Sequence, residues 1–311
     1  MNRLRLTRRA LGSLAVALAA SGIAACVPPT GGGGGGGTTT TTTTLPSTTV
    51  TVTDASLEWT ISREADNASF APGQVNYWSA GISDSTAATY VPTNGNATVL
   101  KKNASGSYVP IGSEDAVSWA NRNRDGAGNV VTATNAFYLG QKIRYTGGTG
   151  TIDTASGAGT IQWTGTFTVN FYGQYVPFWI VDPTLTIDED GSGTLQATLG
   201  GTAKDMADPE APGTPLPSTK VTLADLPDVY GSGGSHTTGF TAATAYLGSS
   251  VTVPATPQLP KTGTNEGYWG AWPQSFVDFQ TDTNLGSYWY TSGSPADPKK
   301  PQEPITVSLG F

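Results

Sequence analysis

This chain of 311 residues has very few of the side chains on which catalysis and metal binding usually depend. It has one cysteine, one histidine and two methionines, and only 13% of its residues are charged. A single cysteine permits neither an internal disulfide nor a cysteine-based metal cluster. A histidine-based catalytic triad would have to use His236, and no nucleophile-elbow motif accompanies it. We therefore expect a protein that is not an enzyme.

Basic residues are scarce once the first 25 positions are set aside. The whole chain has 16 Lys and Arg against 23 Asp and Glu, and the four arginines before residue 26 leave 12 basic residues and a net charge of −11. Binding a nucleic acid requires a basic face that neutralises phosphates, so we expect no nucleic-acid partner. The acidic residues are scattered, and no pattern places two of them as a glycosidase pair.

The amino terminus has the order of an export signal. Basic residues that include the pair Arg8-Arg9 precede an apolar run over residues 10–20, and small residues then lead to Ile23-Ala24-Ala25-Cys26. The run is too short to span a bilayer as a helix. The tetrapeptide looks like a bacterial lipobox, which predicts a signal peptide over residues 1–25 and acylation of Cys26. The arginine pair is compatible with twin-arginine export and equally with an ordinary basic signal. We expect a protein anchored by lipid to the outer face of the cytoplasmic membrane.

Residues 26–49 contain a run of seven glycines followed by seven threonines. Such a composition cannot build a core, so this segment is predicted to be a disordered tether between the lipid anchor and a folded domain.

Alternating apolar and polar residues predict strands. From Thr160 to Tyr172 the apolar residues all fall on one parity, which predicts one half-buried strand. Two apolar segments over residues 179–187 flank Pro183, which predicts an edge strand or a bulge there. Residues 195–199 alternate again and complete an antiparallel meander, and residues 305–311 predict a closing strand at the carboxyl end.

Helical signals are confined to two short segments, residues 113–119 and 273–280. The fold class is therefore predicted to be all-β, an antiparallel β-sandwich with few short helices. We expect one sandwich domain over residues 50–230. Residues 231–311, rich in Trp and Tyr, are expected to pack on the sandwich or to complete it.

Several turn-and-strand motifs between residues 57 and 228 share one pattern. They are Leu57-Glu58-Trp59, Gly148-Thr149-Gly150-Thr151-Ile152-Asp153, Gly159-Thr160-Ile161, Gly165-Thr166-Phe167, Asp182-Pro183 and Gly193-Thr194-Leu195-Gln196-Ala197. In these motifs the chain resembles an HtaA (heme-transport-associated) domain, a β-rich module of the Gram-positive cell envelope. The resemblance implies a non-catalytic protein that captures or relays heme for iron uptake, with heme-relay proteins as partners.

The resemblance also implies site residues. Family members bind heme through a tyrosine near the start of the domain, supported by a histidine in a Phe-x-Gly-His strand end. Here the strand end reads Phe171-Tyr172-Gly173-Gln174, so Gln174 stands in the histidine position, and Tyr77 is the first candidate for the ligand tyrosine. His236 is a further candidate, as a second iron ligand on a loop; the alternative is a solvated side chain without function.

An aromatic cluster near the carboxyl end offers a different function. Trp269, Trp272 and Trp289 lie within some twenty residues, and exposed indole faces stack on sugar rings. This cluster would make the protein a wall-associated adhesin or glycan-binding module with wall polysaccharide as its partner. The alternative interpretation is that these residues cap one end of the sandwich and are buried.

Overall fold

The protein is described by a computed structural model that covers residues 48–69, 74–109, 118–173, 175–205, 208 and 211–311. The predicted export signal with Arg8 and Arg9, the lipidation site Cys26 and the candidate Gln174 lie outside the described residues. So does most of the helix predicted over residues 113–119.

Strands dominate the described part of the chain, and the predicted all-β class is confirmed. The one α-helix described, α1, is Gln274–Asp282, close to the prediction, and short 3-10 turns are found at Trp119–Asn121, Gly286–Trp289 and Asp297–Lys299. No described helix has the length and apolar character needed to cross a membrane. The strands are β1 Thr49–Trp59, β2 Tyr77–Ala80, β3 Thr93–Asn94, β4 Ala97–Lys102, β5 Tyr108–Val109, β6 Gln141–Asp153, β7 Gly159–Gln162, β8 Thr166–Phe171, β9 Val176–Ile187, β10 Gly193–Ala203, β11 Thr214–Leu226, β12 Gly239–Ala242 and β13 Ile305–Ser308.

All strand pairs are antiparallel, and the main path of the sheet is β11-β10-β9-β7-β6-β1-β13-β12. The long strands change partners along their length. The first part of β6 pairs with β4 and the last part with β7, whereas β9 pairs first with β8 and then with β7. The parts of β6 and β9 that do not pair with β7 face each other across the core. There the Tyr145 hydroxyl donates to the Ile180 carbonyl at 3.4 Å. The result is sandwich-like.

The single strand predicted over residues 160–172 is wrong, because the chain forms β7 and β8 with a break at residues 163–165. Gly165 has a φ of 138°, and its backbone exchanges hydrogen bonds with Asp182 on β9. The chain crosses here from one half of the sandwich to the other. The strand β8 is also not half-buried, since Thr168 and Asn170, on its polar parity, are both fully buried.

The bulge predicted at Pro183 is confirmed. Asp182 and Pro183 together face Ala197 of β10, because the register shifts by one residue at this point. Proline has no N–H to give to the ladder, and a bulge spares the sheet that hydrogen bond. The free Pro183 carbonyl accepts from the backbone N–H of Trp163 at 2.9 Å.

The carboxyl-terminal residues share the core of the rest of the described chain. Strand β13 lies between β1 and β12, which confirms the predicted closing strand over residues 305–308. The ring of Phe276 on α1 stacks on Trp272 with centroids 4.5 Å apart and also meets Phe178 of β9. Apolar area buried in this way is the main stabilising contribution to a fold of this kind.

Candidate ligand site at the end of strand β8

Strand β8 ends in a turn that places a tyrosine at the edge of the core. Tyr172 and Gly173 both adopt left-handed backbone conformations, with φ of 56° and 68°. This conformation is unfavourable for a residue with a Cβ, so it needs an anchor. The buried side chain of Asn76 provides one, because its oxygen accepts a 2.9 Å hydrogen bond from the Tyr172 N–H.

A second tyrosine meets Tyr172 from a distant part of the chain. Tyr288 lies in the 3-10 turn Gly286–Trp289, and the two rings have centroids 5.5 Å apart at 77°. Their hydroxyl groups are in hydrogen-bond contact although the residues are 116 positions apart. Tyr288 is half-exposed, while Phe171 and Trp289 form a buried aromatic floor beneath the pair.

Either hydroxyl can donate in the shared hydrogen bond. With Tyr172 as the donor, burial and this bond raise the pKa of Tyr172 well above the ordinary value. Burial also raises the pKa of Tyr288, but a hydrogen bond received from Tyr172 opposes that rise because it stabilises the phenolate. In that arrangement Tyr288 is the phenol of the pair that is better prepared to bind a cation through its oxygen.

A buried carboxylate belongs to the same neighbourhood. The amide nitrogen of Asn76 donates to the Glu64 carbonyl at 2.7 Å, so one side chain joins the backbones of Glu64 and Tyr172. Glu64 is 3% exposed. Burial raises the pKa of Glu64 to about 7, against the attraction of Lys299 and Lys300.

The Lys300 ammonium, which is close to Glu64, already uses all its hydrogen-bond donors. The ammonium of Lys300 donates to the Ser287 and Tyr290 carbonyls at 2.7 and 2.9 Å and pairs with the buried carboxylate of Asp297 at 2.5 Å. An ammonium has three N–H donors, so Lys300 has none left for Glu64. These bonds hold the turn that carries Tyr288. The Nζ of Lys300 lies 6.0 Å from the centre of the Tyr288 ring.

Tyr77, the ligand tyrosine predicted from the sequence, lies on the other side of the turn that follows β8. Its hydroxyl donates to the Ser85 carbonyl at 3.0 Å, and burial raises the pKa of Tyr77 to about 12. A carbonyl acceptor favours the protonated phenol, so this environment opposes phenolate formation. The residue lines a cavity of about 310 Å³ together with Gln74, Trp119 and Arg122. Gln74 also covers the Cα of Gly173, so the cavity adjoins the turn that follows β8.

His236 is at the opposite end of the sandwich and cannot act with Tyr77. Its Nδ1 is 3.0 Å from the carbonyl of Thr154, just after β6, and its ring packs on Tyr230. Tyr77 lies near the start of β6, since the N–H of the next residue, Trp78, donates to the Gln141 side chain. Strand β6 has 13 residues, which at the usual rise per residue is a length of roughly 40 Å. His236 and Tyr77 therefore do not lie at one site within this chain.

The exposed aromatic platform considered from the sequence is not formed. Trp272 and Trp289 are buried, because they pack on each other with centroids 4.9 Å apart and cap the core. Trp269 is half-exposed, and its indole N–H donates to the Leu259 carbonyl at 2.7 Å. One half-exposed indole does not make a stacking surface for a sugar chain.

Sequence reasoning missed the Tyr172–Tyr288 pair. Tyr172 occupies the variable position of the very strand-end motif that drew attention to Gln174. Tyr288 is next to Trp289 in the carboxyl-terminal aromatic segment, and nothing local in the sequence links it to β8. Among the described residues, no group of three or more His, Cys, Asp and Glu side chains could hold a metal ion.

Comparison with known proteins gives similarity at the level of fold. No family model and no curated protein matches the chain. Two solved structures from Corynebacterium glutamicum are similar to it. The C-terminal domain of HtaA has 13% identity and a TM-score of 0.35 over 84% of this chain and 99% of that one. The heme binding protein HtaB has 11% identity and a TM-score of 0.36 over 84% and 94%. These likenesses do not identify a ligand for this chain.

Proposed function

We propose that this protein is a non-catalytic heme-binding protein, anchored by lipid on the outer face of the membrane, in which Tyr288 ligates the heme iron. The hydroxyl contact between Tyr288 and Tyr172 carries the proposal. Heme is the ligand implied by the sequence motifs that resemble HtaA domains.

The chemistry of the pair suits ferric heme. Ferric iron accepts an anionic phenolate as an axial ligand, and a hydrogen bond from a neighbour lowers the cost of ionising the phenol. Tyr172 supplies such a hydrogen bond, which is the supporting role that the family assigns to histidine. Tyr288 is half-exposed and so accessible to a ligand, while the ring of Phe171, which contacts both Tyr288 and the buried Trp289, supports it from beneath.

A hemin titration tests the ligand assignment. The protein is the mature chain from residue 26 with Cys26→Ser, which removes the acylation site and keeps the chain soluble. We expect a saturable Soret shift that Tyr288→Phe abolishes and Tyr172→Phe weakens. Tyr230→Phe is the matched control, because it removes a partly buried tyrosine hydroxyl that donates to the Gly157 carbonyl and lies beside His236 at the far end of β6.

Two results would contradict the proposal. An unchanged Soret shift in both Tyr288→Phe and Tyr172→Phe would remove the phenol pair from the site. Loss of the shift in Tyr77→Phe alone would move the ligand to the tyrosine predicted from the sequence.

Anchoring is tested separately in cells. An alkyne-labelled fatty acid is expected to be incorporated into the protein, and Cys26→Ser is expected to abolish the label and release the protein from the membrane fraction. Persistent labelling of Cys26→Ser would contradict an anchor at this residue.

A further inference from the structure

The cavity beside the β8 turn contains an arginine with no acidic partner. Arg122 follows the 3-10 turn Trp119–Asn121, and its guanidinium carbon lies 3.7 Å from the centre of the Trp119 ring and 5.7 Å from that of Tyr77. Its Nη1 donates to the Trp119 carbonyl at 2.8 Å. No carboxylate of the described residues forms an ion pair with Arg122.

Asp84, the acidic residue next to Ser85 in the cavity wall, has hydrogen-bond partners of its own. Asp84 is exposed, and its carboxylate accepts hydrogen bonds from the hydroxyls of Thr86, at 2.7 Å, and Thr89. These bonds hold the pKa of Asp84 below its usual range without any contribution from Arg122. The guanidinium is therefore held in place by aromatic packing and one carbonyl rather than by an opposite charge.

This arrangement is suited to binding a carboxylate. A guanidinium has five N–H donors in one plane, and stacking on an indole fixes that plane while leaving an edge free for a bidentate acceptor. Arg122 is half-buried in a cavity of about 310 Å³, where an ion pair is screened less than on an open surface.

The cavity and the phenol pair are within reach of one ligand. Tyr77 pairs with Asn170 in the β2–β8 register, and Tyr172 is two residues farther along, a rise of roughly 7 Å. Gln74 lies between them, since it lines the cavity and covers Gly173. We infer that Arg122 is a specificity-determining residue that binds a carboxylate of the ligand, which is a propionate of heme. This inference rests on the proposed function.

The test compares hemin with hemin dimethyl ester, whose propionates carry no charge, on the mature chain with Cys26→Ser. We expect the unsubstituted chain to bind hemin at least about tenfold more tightly than the diester. Arg122→Gln should bind the two equally, close to the affinity of the unsubstituted chain for the diester. Arg122→Lys, which keeps the charge without the planar fork, should keep part of the preference.

Arg124→Gln is the matched control on the same loop, because Arg124 is exposed and donates to the Gly128 carbonyl. It should retain the full preference for hemin. Circular dichroism and the midpoint of thermal unfolding establish that each variant is folded.

The outcomes separate the two proposals. Equal binding of hemin and diester by the unsubstituted chain, or an undiminished preference in Arg122→Gln, overturns the role of Arg122 and leaves heme binding at Tyr288 intact. No saturable Soret shift with either compound overturns the proposed function, and the role of Arg122 falls with it.

Discussion

The side-chain oxygen of Asn76 accepts a hydrogen bond from the backbone N–H of Tyr172, across 96 positions of the chain. The nitrogen of the same amide donates to the carbonyl of Glu64. One buried side chain thus joins the segment after β1 to the turn after β8. The left-handed conformation of Tyr172, and with it the position of the phenol pair, depends on this connection.

Replacement of Asn76 by alanine is expected to destabilise the fold and weaken ligand binding together. It removes two buried hydrogen bonds and leaves their partners unsatisfied, which costs about 2–4 kcal/mol. Chemical denaturation measures the loss of unfolding free energy, and the hemin titration measures the loss of affinity. Asn96→Ala is the control, because the side chain of that half-buried asparagine donates to the Thr164 hydroxyl in a solvent-exposed hydrogen bond and its loss should change neither quantity appreciably. Equal effects of the two substitutions would contradict the anchoring role of Asn76.

Glu64 should make the ligand-free protein less stable as the pH rises. Its pKa is raised from 4.5 when unfolded to about 7 when folded, because burial disfavours the carboxylate. The folded state therefore binds this proton more tightly, and stability is fully present below pH 4.5 and is lost as pH rises through 7. The effect amounts to about 2–4 kcal/mol. Glu64→Gln should be more stable than the unsubstituted chain at pH 8, and the difference should vanish at pH 4. A difference that does not depend on pH would contradict this assignment.

Lys101 should hold the loop that carries Trp119 and Arg122. Its buried ammonium donates to the carbonyl of Asn121, at 3.0 Å, and to that of Arg124. Lys101→Met should speed hydrogen exchange of amides in residues 118–128 by at least about tenfold, because two carbonyls of the loop lose their donor. The adjacent Lys102→Met replaces an exposed lysine and should leave that exchange unchanged. Unchanged exchange in Lys101→Met would show that the loop is held by other contacts.

The tryptophans near the carboxyl end should differ sharply in their contribution to stability. Trp272→Ala removes a fully buried ring that packs on Trp59, Phe276 and Trp289, at a cost of about 3–5 kcal/mol. Trp269→Ala removes a half-exposed ring and should cost much less. Equilibrium denaturation measures both. Similar losses for the two variants would contradict the difference in burial.

Local patterns were sufficient for part of the fold. The period of two identified strands in β10 and β13 because neighbouring side chains on a strand point to opposite faces. Pro183 predicted an edge strand or a bulge because it lacks an N–H, and the helical signal over residues 273–280 predicted α1 to within two residues at its end. The same alternation failed between β7 and β8. Apolar side chains stay on the same alternate positions through Trp163, so the sequence shows no break. Only the contacts with Asp182 of β9 show where the chain crosses between the halves of the sandwich.

The sequence by itself determined the all-β class, the positions of β9, β10 and β13 and the expectation of an export signal that ends before Cys26, because each depends on neighbouring residues. Only the tertiary structure decided which side chains form the site. It placed His236 far from Tyr77, buried Trp272 and Trp289, and brought Tyr172 to Tyr288. That last contact depends on which strands pair across more than a hundred residues, and no local period of side chains specifies such a pairing.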